Sequence, residues 1–275
     1  ALLYKNWFWW GLDMIADGNV LMYTAGTWYL LVPLLVNRKL YGERVVRWVI
    51  LADLLVSLFV WSHHLLADRP QPFGLRLLSG QFGTWGACLT MGLTIFTVLM
   101  TMWRARPVKL TPGLKFVLGS LFGYMIGGMA GLIQANLGLN LVLHNTQWVI
   151  GVHAHAMLLV GLSMLVFAVI YVLLPMLTGL QIRSQRLVDA HFWIWMLGAM
   201  TMTYAMGMAG VRGMLRRTLY PEGLYEPYMV GAMIGAVLMV IAFLIFLVNL
   251  LATLGWANVA ELVLPRGRQP AEAKE

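Results

Sequence analysis

Seven long apolar segments determine what this chain can fold into. They cover residues 8–36, 45–67, 79–103, 113–137, 147–177, 188–212 and 227–255. Each can cross a bilayer, for which a helix needs about 20 apolar residues. Hydrophobic residues make up 60% of the chain and charged residues 11%, which is too little polar surface to cover a soluble globule. We therefore predict an all-α membrane protein, a polytopic bundle of seven transmembrane helices in residues 1–255, with a cytoplasmic polar tail in residues 256–275.

The basic residues are distributed unevenly between the two sides of such a bundle. With alternating spans, thirteen of the 19 Lys and Arg residues fall on one side and six on the other. The more basic side is cytoplasmic by the positive-inside rule, which predicts an N-terminus outside and a C-terminus inside. The same rule explains the net charge of +8 without a nucleic-acid partner. The single cysteine, Cys88, excludes an internal disulfide and a cysteine-bound cluster.

Four histidines form two close pairs within these apolar segments, His63-His64 and His153-Ala154-His155. Ionisable residues inside a membrane are costly to bury and indicate function. Residues i and i+2 of an α-helix point roughly 200° apart, so His153 and His155 leave on opposite faces and cannot share one metal. Neutral imidazole is a common axial ligand of haem iron. The spacing therefore favours two separate metal groups.

Six polar residues should lie at one depth in the outer half of the membrane: Asp13, Asp17, His63, His64, His153 and His155. The first and fifth spans enter from outside and the second returns there, which brings these span ends together. A lone intramembrane histidine is more often a hydrogen-bonded packing residue, but two pairs at one depth favour metal ligation. The two aspartates share a helix face at i, i+4. The alternative to a functional role for them is that they are simply solvated at the end of the helix.

The motifs resemble those of the main subunit of the heme-copper oxidase superfamily, the catalytic subunit of terminal oxidases and nitric oxide reductases. They are Trp61-Ser62-His63-His64, His144-Asn145-Thr146-Gln147-Trp148 leading into His153-Ala154-His155, and Gly213-Met214-Leu215-Arg216-Arg217. The resemblance implies that the seven spans correspond to the last seven of the family's twelve, in a bacterial or archaeal cytoplasmic membrane. The missing N-terminal half, or a separate chain, would then supply the other ligand of the low-spin haem.

The resemblance also implies the cofactors, which are two haems and one non-haem metal. His153 would be the axial ligand of the high-spin haem at the reaction site. His155 would be an axial ligand of the low-spin haem that donates electrons. His63 and His64 would bind the non-haem metal that faces the high-spin haem.

Two residues depart from the pattern of the family's oxidases. Asp13 stands where those oxidases place a third metal-binding histidine, and Asp17 stands where many of them carry a tyrosine. Residues 79–103 contain no tyrosine either. Two histidines and one carboxylate are typical of non-haem iron, whereas three imidazoles suit copper. We therefore predict Fe rather than Cu on Asp13, His63 and His64. Asp13 and Asp17 are the predicted catalytic residues, with Asp17 as proton donor in the reduction of nitric oxide to nitrous oxide.

The resemblance places three further residues near the haem propionates: His144, Arg216 and Arg217. Guanidinium groups suit the bidentate binding of carboxylates. The paired arginines and the His-Asn-Thr-x-Trp segment look more oxidase-like, so a divergent cytochrome c or quinol oxidase that reduces dioxygen is an alternative. A second alternative is a haem-bearing electron-transfer or structural subunit with a degraded metal site. A transporter would explain none of the histidine spacing.

The predicted partners are membrane lipid, a small gaseous substrate, and either a cytochrome c or cupredoxin type electron donor or quinol.

Two more polar residues fall within spans. Asp53 lies eleven residues before His64, about 16 Å along a continuous helix. It could relay protons from the inner side or pair with a neighbouring helix. His191 begins a span and is expected at the membrane surface, without a role.

Overall fold

The structure, a computed structural model, describes residues 1–66, 70–221, 223–255 and 258–259, without the side chain of Asp17. The helices in these residues are α1 (Leu2–Val36), α2 (Glu43–Ser57), α3 (Phe73–Arg104), α4 (Pro112–Ala135), α5 (Leu137–Leu143), α6 (Val149–Thr178), α7 (Gln185–Val211) and α8 (Glu226–Leu254). The described residues contain no β-strand, and the predicted all-α fold is confirmed. Apart from residues 258–259, the predicted tail 256–275 lies outside the described residues.

Six helices are long and apolar enough to cross a membrane: α1, α3, α4, α6, α7 and α8. Their ends differ from those of six predicted spans by at most six residues. The remaining predicted span, 45–67, is not one helix, because α2 ends at Ser57 and a tight 3₁₀ segment then covers Val60–Leu65. The predicted count of seven is therefore not confirmed.

The 3₁₀ segment is held by hydrogen bonds to other parts of the chain. The Ser62 backbone N–H donates to Ser79 Oγ at 3.0 Å, and Ser62 Oγ donates to the Leu75 carbonyl at 3.1 Å. Asn140 Nδ2 donates to the His63 carbonyl at 3.0 Å. These bonds satisfy backbone groups that a continuous α-helix would pair internally. The expectation that Asp53 and His64 share one straight helix is therefore wrong.

Three stretches of the long helices are wound as π-helix: Met14–Leu21 in α1, Arg76–Gly83 in α3 and Val149–Leu162 in α6. Such winding is rare and is frequently found at functional sites. The first stretch directly follows Asp13, the second ends next to Thr84, and the third contains His153 and His155. All three irregular stretches thus adjoin residues of one site.

Glycines bring α4 into backbone contact with α6. They recur at every fourth residue of α4: Gly119, Gly123, Gly127 and Gly131. A Cβ on Gly123 would lie 2.8 Å from the Ala156 carbonyl oxygen and 2.7 Å from Val160 Cβ. Small residues at this spacing let membrane helices approach closely. The contact places the π-wound part of α6, with its histidines, directly against α4.

His191 lies in the core rather than at the membrane surface, so that expectation is wrong. Its side chain is 0% exposed, and its Nδ1 is 3.0 Å from the hydroxyl of Tyr171. The rings of Phe116, Phe167 and Phe246 surround it, with centroids 4.3 to 5.2 Å away. The first turns of α7 pack between α4, α6 and α8, which buries a residue that follows charged neighbours in the sequence.

Candidate metal centre and cofactor cavity

Three residues from two segments meet near one end of the bundle. One ligand atom each of Asp13, His63 and His64 lies within 4.8 Å of the others. Asp13 is 3% exposed and His63 is 8% exposed, and Asp13 Oδ1 is 3.1 Å from His64 Nε2. Asp13 Oδ2 and His64 Nδ1 are buried and have no hydrogen-bond partner among the described residues. Buried polar atoms without partners are costly, so a buried donor set of this kind fits a metal ion.

His63 is oriented by a threonine of α3. Thr84 Oγ1 donates to the Gly80 carbonyl at 2.9 Å and is 3.2 Å from His63 Nδ1. Because the threonine hydrogen is already used, its oxygen accepts from the Nδ1–H of His63. The lone pair of His63 is then on Nε2, as a metal-binding imidazole requires.

The ring of His64 is held by an aromatic neighbour from α1. Trp9 stacks on it with ring centroids 3.8 Å apart and an interplanar angle of 13°. The His63 and His64 rings are themselves 4.1 Å apart. Trp9 and Thr84 were not among the sequence predictions. A tryptophan four residues before Asp13 gave a possible signal, because i, i+4 places both on one face of a helix.

A cavity adjoins this group between α1, α3, α4 and α6. Its polar end is formed by His63, His64, His144 and His153. Its apolar wall includes Leu21, Met91, Ile95, Met125, Leu132 and Met157. A haem needs an axial nitrogen, apolar walls for its ring and polar groups for its propionates. The cavity offers all three, so its residues fit a haem.

His153 faces this cavity in a defined orientation. Its Nδ1–H donates to the Gly127 carbonyl at 2.8 Å, which leaves Nε2 as the acceptor nitrogen. A Cβ on Gly131 would lie only 3.3 Å from Cε1 of the same ring. The two glycines therefore serve His153 in different ways, one as an acceptor and one by leaving space.

The two histidines of α6 differ in their relation to this cavity, because His153 lines it and His155 does not. The Nδ1 of His155 is buried without a hydrogen-bond partner among the described residues. A second haem on His155 stays a prediction.

His144 and Arg216 meet at the polar end of the cavity. His144 Nδ1 donates to Gln134 Oε1 at 3.0 Å, and its Nε2 accepts from Arg216 Nη2 at 3.3 Å. Burial, together with the nearby His64 and Arg216, lowers the pKa of His144 to about 2, so the imidazole is neutral. Burial also lowers the pKa of Arg216. Arg217 is exposed and has a left-handed backbone, with φ of 61°.

Asp17 and Asp53 are the two remaining polar residues that the sequence singled out, and the structure describes the side chain of Asp53 alone. The backbone of Asp17 belongs to the π-wound stretch of α1, but its side chain lies outside the described residues. Asp53 is buried and accepts a hydrogen bond of 2.5 Å from Thr90 Oγ1. Five buried threonines lie along α3: Thr84, Thr90, Thr94, Thr97 and Thr101. They extend from the candidate metal centre toward the opposite end of the bundle, past Asp53, and their near-helical spacing was visible in the sequence.

Residues 1–238 match the family model described as cytochrome c and quinol oxidase polypeptide I. The chain therefore belongs to the subunit I family of heme-copper oxidases. It is 31% identical over 224 residues to cytochrome c oxidase polypeptide 1 of Halobacterium salinarum, covering 80% of this chain and 36% of that protein. It is 24% identical over 254 residues to cytochrome c oxidase subunit 1 of Thermostichus vulcanus, covering 86% of this chain and 45% of that protein.

A solved structure has the same fold. A cryo-EM structure of a heme-copper terminal oxidase dimer superposes with a TM-score of 0.81 at 24% identity, covering 92% of this chain and 49% of that chain. The chain thus spans between a third and a half of the length of these relatives. Its membership of the family and its long apolar helices make it an integral membrane protein.

Proposed function

We propose that this chain forms the reaction-site part of a respiratory oxidoreductase and that its substrate is nitric oxide, reduced to nitrous oxide. The observation that carries the proposal is the buried group of two imidazoles and one carboxylate beside the His153 cavity. In this proposal Asp13, His63 and His64 hold a non-haem metal, with iron favoured over copper. His153 holds the high-spin haem and His155 the low-spin haem.

The donor set supports the choice of substrate. Asp13, His63 and His64 on one side and His153 on the other would hold two metal groups at one cavity, and these groups would supply electrons to small gas molecules bound there. Coupling two nitric oxide molecules takes two electrons and two protons, whereas reducing dioxygen to water takes four of each. The sequence has Asp17 where the family's oxidases often carry a tyrosine. Tyr124, which lines the cavity, has its hydroxyl 2.8 Å from Thr24 Oγ1.

The residues of the chain have three tasks in this proposal. Thr84 and the Gly127 carbonyl fix the tautomers of His63 and His153, so that Nε2 of each is free to bind. The apolar wall would exclude water from the cavity. His144, Arg216 and Arg217 would bind the haem propionates.

Protons would arrive from two directions. Asp17 would donate them at the metal centre. Asp53 would pass them from the opposite end of the bundle, because it is the buried carboxylate beside the line of threonines on α3. The competing explanation for Asp53 is that its bond to Thr90 only joins α2 to α3.

Dioxygen reduction is the second candidate, because the relatives described above are named cytochrome c oxidases. The third is an electron-transfer or structural subunit without a working metal site. The partners belong to the proposal as well: the other ligand of the low-spin haem from another part or chain, and a cytochrome c or cupredoxin type donor or quinol. We place the protein in a bacterial or archaeal cytoplasmic membrane, with its N-terminus outside.

Metal content of the purified complex, measured by elemental analysis beside the haem spectrum, tests the proposal. Non-haem iron in excess of haem, without copper, would support it, and consumption of nitric oxide would then be assayed. Stoichiometric copper would overturn the iron site and favour dioxygen reduction. Absence of both metals would favour the electron-transfer candidate.

A further inference from the structure

A cleft at the more basic end of the bundle lies away from the candidate metal centre. It is formed by the last turns of α3, the connection to α4 and the first turns of α4. Its apolar lining consists of Leu99, Met102, Val108, Leu110, Leu114 and Leu118. Trp103 and Arg106 also line it. Leu99 and Leu110 are 40% and 58% exposed, so the apolar lining is open to the surroundings of the protein.

The charge at this cleft is positive and unbalanced. Residues 104–115 contain four basic residues and no acidic one. Two of the four have partners: Lys115 Nζ is 2.6 Å from Asp189 Oδ1, and the Arg104 guanidinium lies 4.3 Å from the Tyr41 ring centroid. Arg106 has no carboxylate partner in the described part of the chain. Its guanidinium is held 3.6 Å from the centroid of the Trp103 ring, at the cleft.

The position of the cleft along the helices matches the membrane interface. It begins where the apolar part of α3 ends at Arg104 and where α4 starts at Pro112. Trp103 is 58% exposed, as is usual for tryptophans at the level of lipid headgroups. The N-terminal end of α4 adds a partial positive charge at the same level. A ligand here therefore meets cations at its head and apolar side chains along its length.

We propose that this cleft binds one anionic phospholipid from the adjoining leaflet. Its phosphate would contact Arg106 and one acyl chain would lie against the apolar lining. Basic pockets between transmembrane helices are suited to anionic headgroups, whereas a zwitterionic lipid gains much less from an unbalanced cation. This lipid site does not depend on the proposed reaction or on which metal the candidate centre binds.

Photo-crosslinking with diazirine-labelled lipids tests the proposal in the intact complex, reconstituted in phosphatidylcholine nanodiscs. Labelled phosphatidylglycerol should modify peptides covering Leu99–Leu118 several-fold more than labelled phosphatidylcholine does. Equal modification by both lipids would overturn the proposal. Modification confined to another subunit would also overturn it, because the cleft would then be covered by protein.

Substitution of Arg106 separates charge from general lipid contact. Arg106→Gln should reduce phosphatidylglycerol labelling roughly fivefold, the effect of losing one basic residue near an anionic headgroup, and leave phosphatidylcholine labelling unchanged. Arg106→Lys should retain most of the labelling. Arg38→Gln, which removes an exposed arginine at the same end of the bundle, is the matched control and should have no effect. Full phosphatidylglycerol labelling in Arg106→Gln would contradict the proposal, and an unchanged haem spectrum would show that the variant is folded.

Discussion

Burial makes the Asp13 carboxylate costly unless a cation accompanies it. Its Oδ1 is 3.1 Å from His64 Nε2, but its Oδ2 has no partner among the described residues. Thr84, in contrast, already uses its hydrogen on Gly80 and accepts from His63. Asp13 therefore lacks a partner that a metal ion would supply, whereas Thr84 orients the metal-binding ring of His63. Substitutions of the two residues should have different effects.

Substitution of Asp13 should change the metal. Asp13→Asn removes the charged donor and should lower bound non-haem iron at least tenfold, whereas Asp13→His offers three imidazoles and should favour copper. Elemental analysis of protein grown with both metals measures this. Asp189→Asn removes an exposed carboxylate that pairs with Lys115 and should leave the metal unchanged. Full iron occupancy in Asp13→Asn would exclude Asp13 as a ligand.

Substitution of Thr84 should weaken metal binding without removing a ligand. Thr84→Val cannot accept from His63 Nδ1, and the loss of such an outer hydrogen bond typically costs 10- to 100-fold in affinity. Competition with a chelator measures the change. Thr97→Val alters another buried threonine of α3, far from the centre, and is the matched control. Equal affinities for the two variants would refute the orienting role of Thr84.

At the scale of elements, the contact between α4 and α6 decides where His153 lies. Gly123→Ala would place a Cβ 2.7 Å from Val160 Cβ and 2.8 Å from the Ala156 oxygen, so the helices would have to separate. We expect a loss of about 1–3 kcal/mol in stability together with lower haem content. Thermal unfolding and the haem spectrum measure both effects.

Gly26→Ala is the control for this helix contact. Gly26 is exposed on α1, and a Cβ there meets nothing within 4 Å. This variant should be neutral or more stable, since alanine favours the helix by up to about 1 kcal/mol. If Gly123→Ala has the same stability and haem content as Gly26→Ala, the close contact between α4 and α6 is not needed for either property.

Asp53, at the contact between α2 and α3, either relays protons or only joins the two helices, and a substitution distinguishes these explanations. Asp53→Asn keeps an acceptor for Thr90 but cannot carry a proton. If Asp53 relays protons, turnover should fall on the order of 10²-fold with metal content unchanged. Steady-state gas consumption and elemental analysis measure the two quantities. Turnover like that of the wild type would mean that Asp53 only joins the helices, and Asp189→Asn again controls for loss of a carboxylate.

At the scale of the whole molecule, the two histidines of α6 should serve different haems. In the intact complex, His155→Leu should remove the low-spin haem from the absorption spectrum and leave the high-spin haem and the non-haem metal in place. His153→Leu should remove the high-spin haem and leave the low-spin haem in place. Loss of both haems in each variant would contradict separate sites. The spectra at room temperature, with and without carbon monoxide, distinguish the two haems.

The sequence alone determined the helical class and the positions of six spans. These properties depend on local hydrophobicity and on spacing within one helix, which are present in the chain before it folds. The span order also put Asp13 and His63 at one depth, and the structure brings them within 4.8 Å of each other.

Only the tertiary structure decided the break after Ser57, the burial of His191 and the stacking of Trp9 on His64. Each depends on groups from distant segments. Ser79 and Asn140 bond the backbone of the 3₁₀ segment, and helices far apart in sequence enclose His191. Local pattern cannot reveal such partners, because backbone and polar groups buried in an apolar medium adopt whichever conformation satisfies their hydrogen bonds.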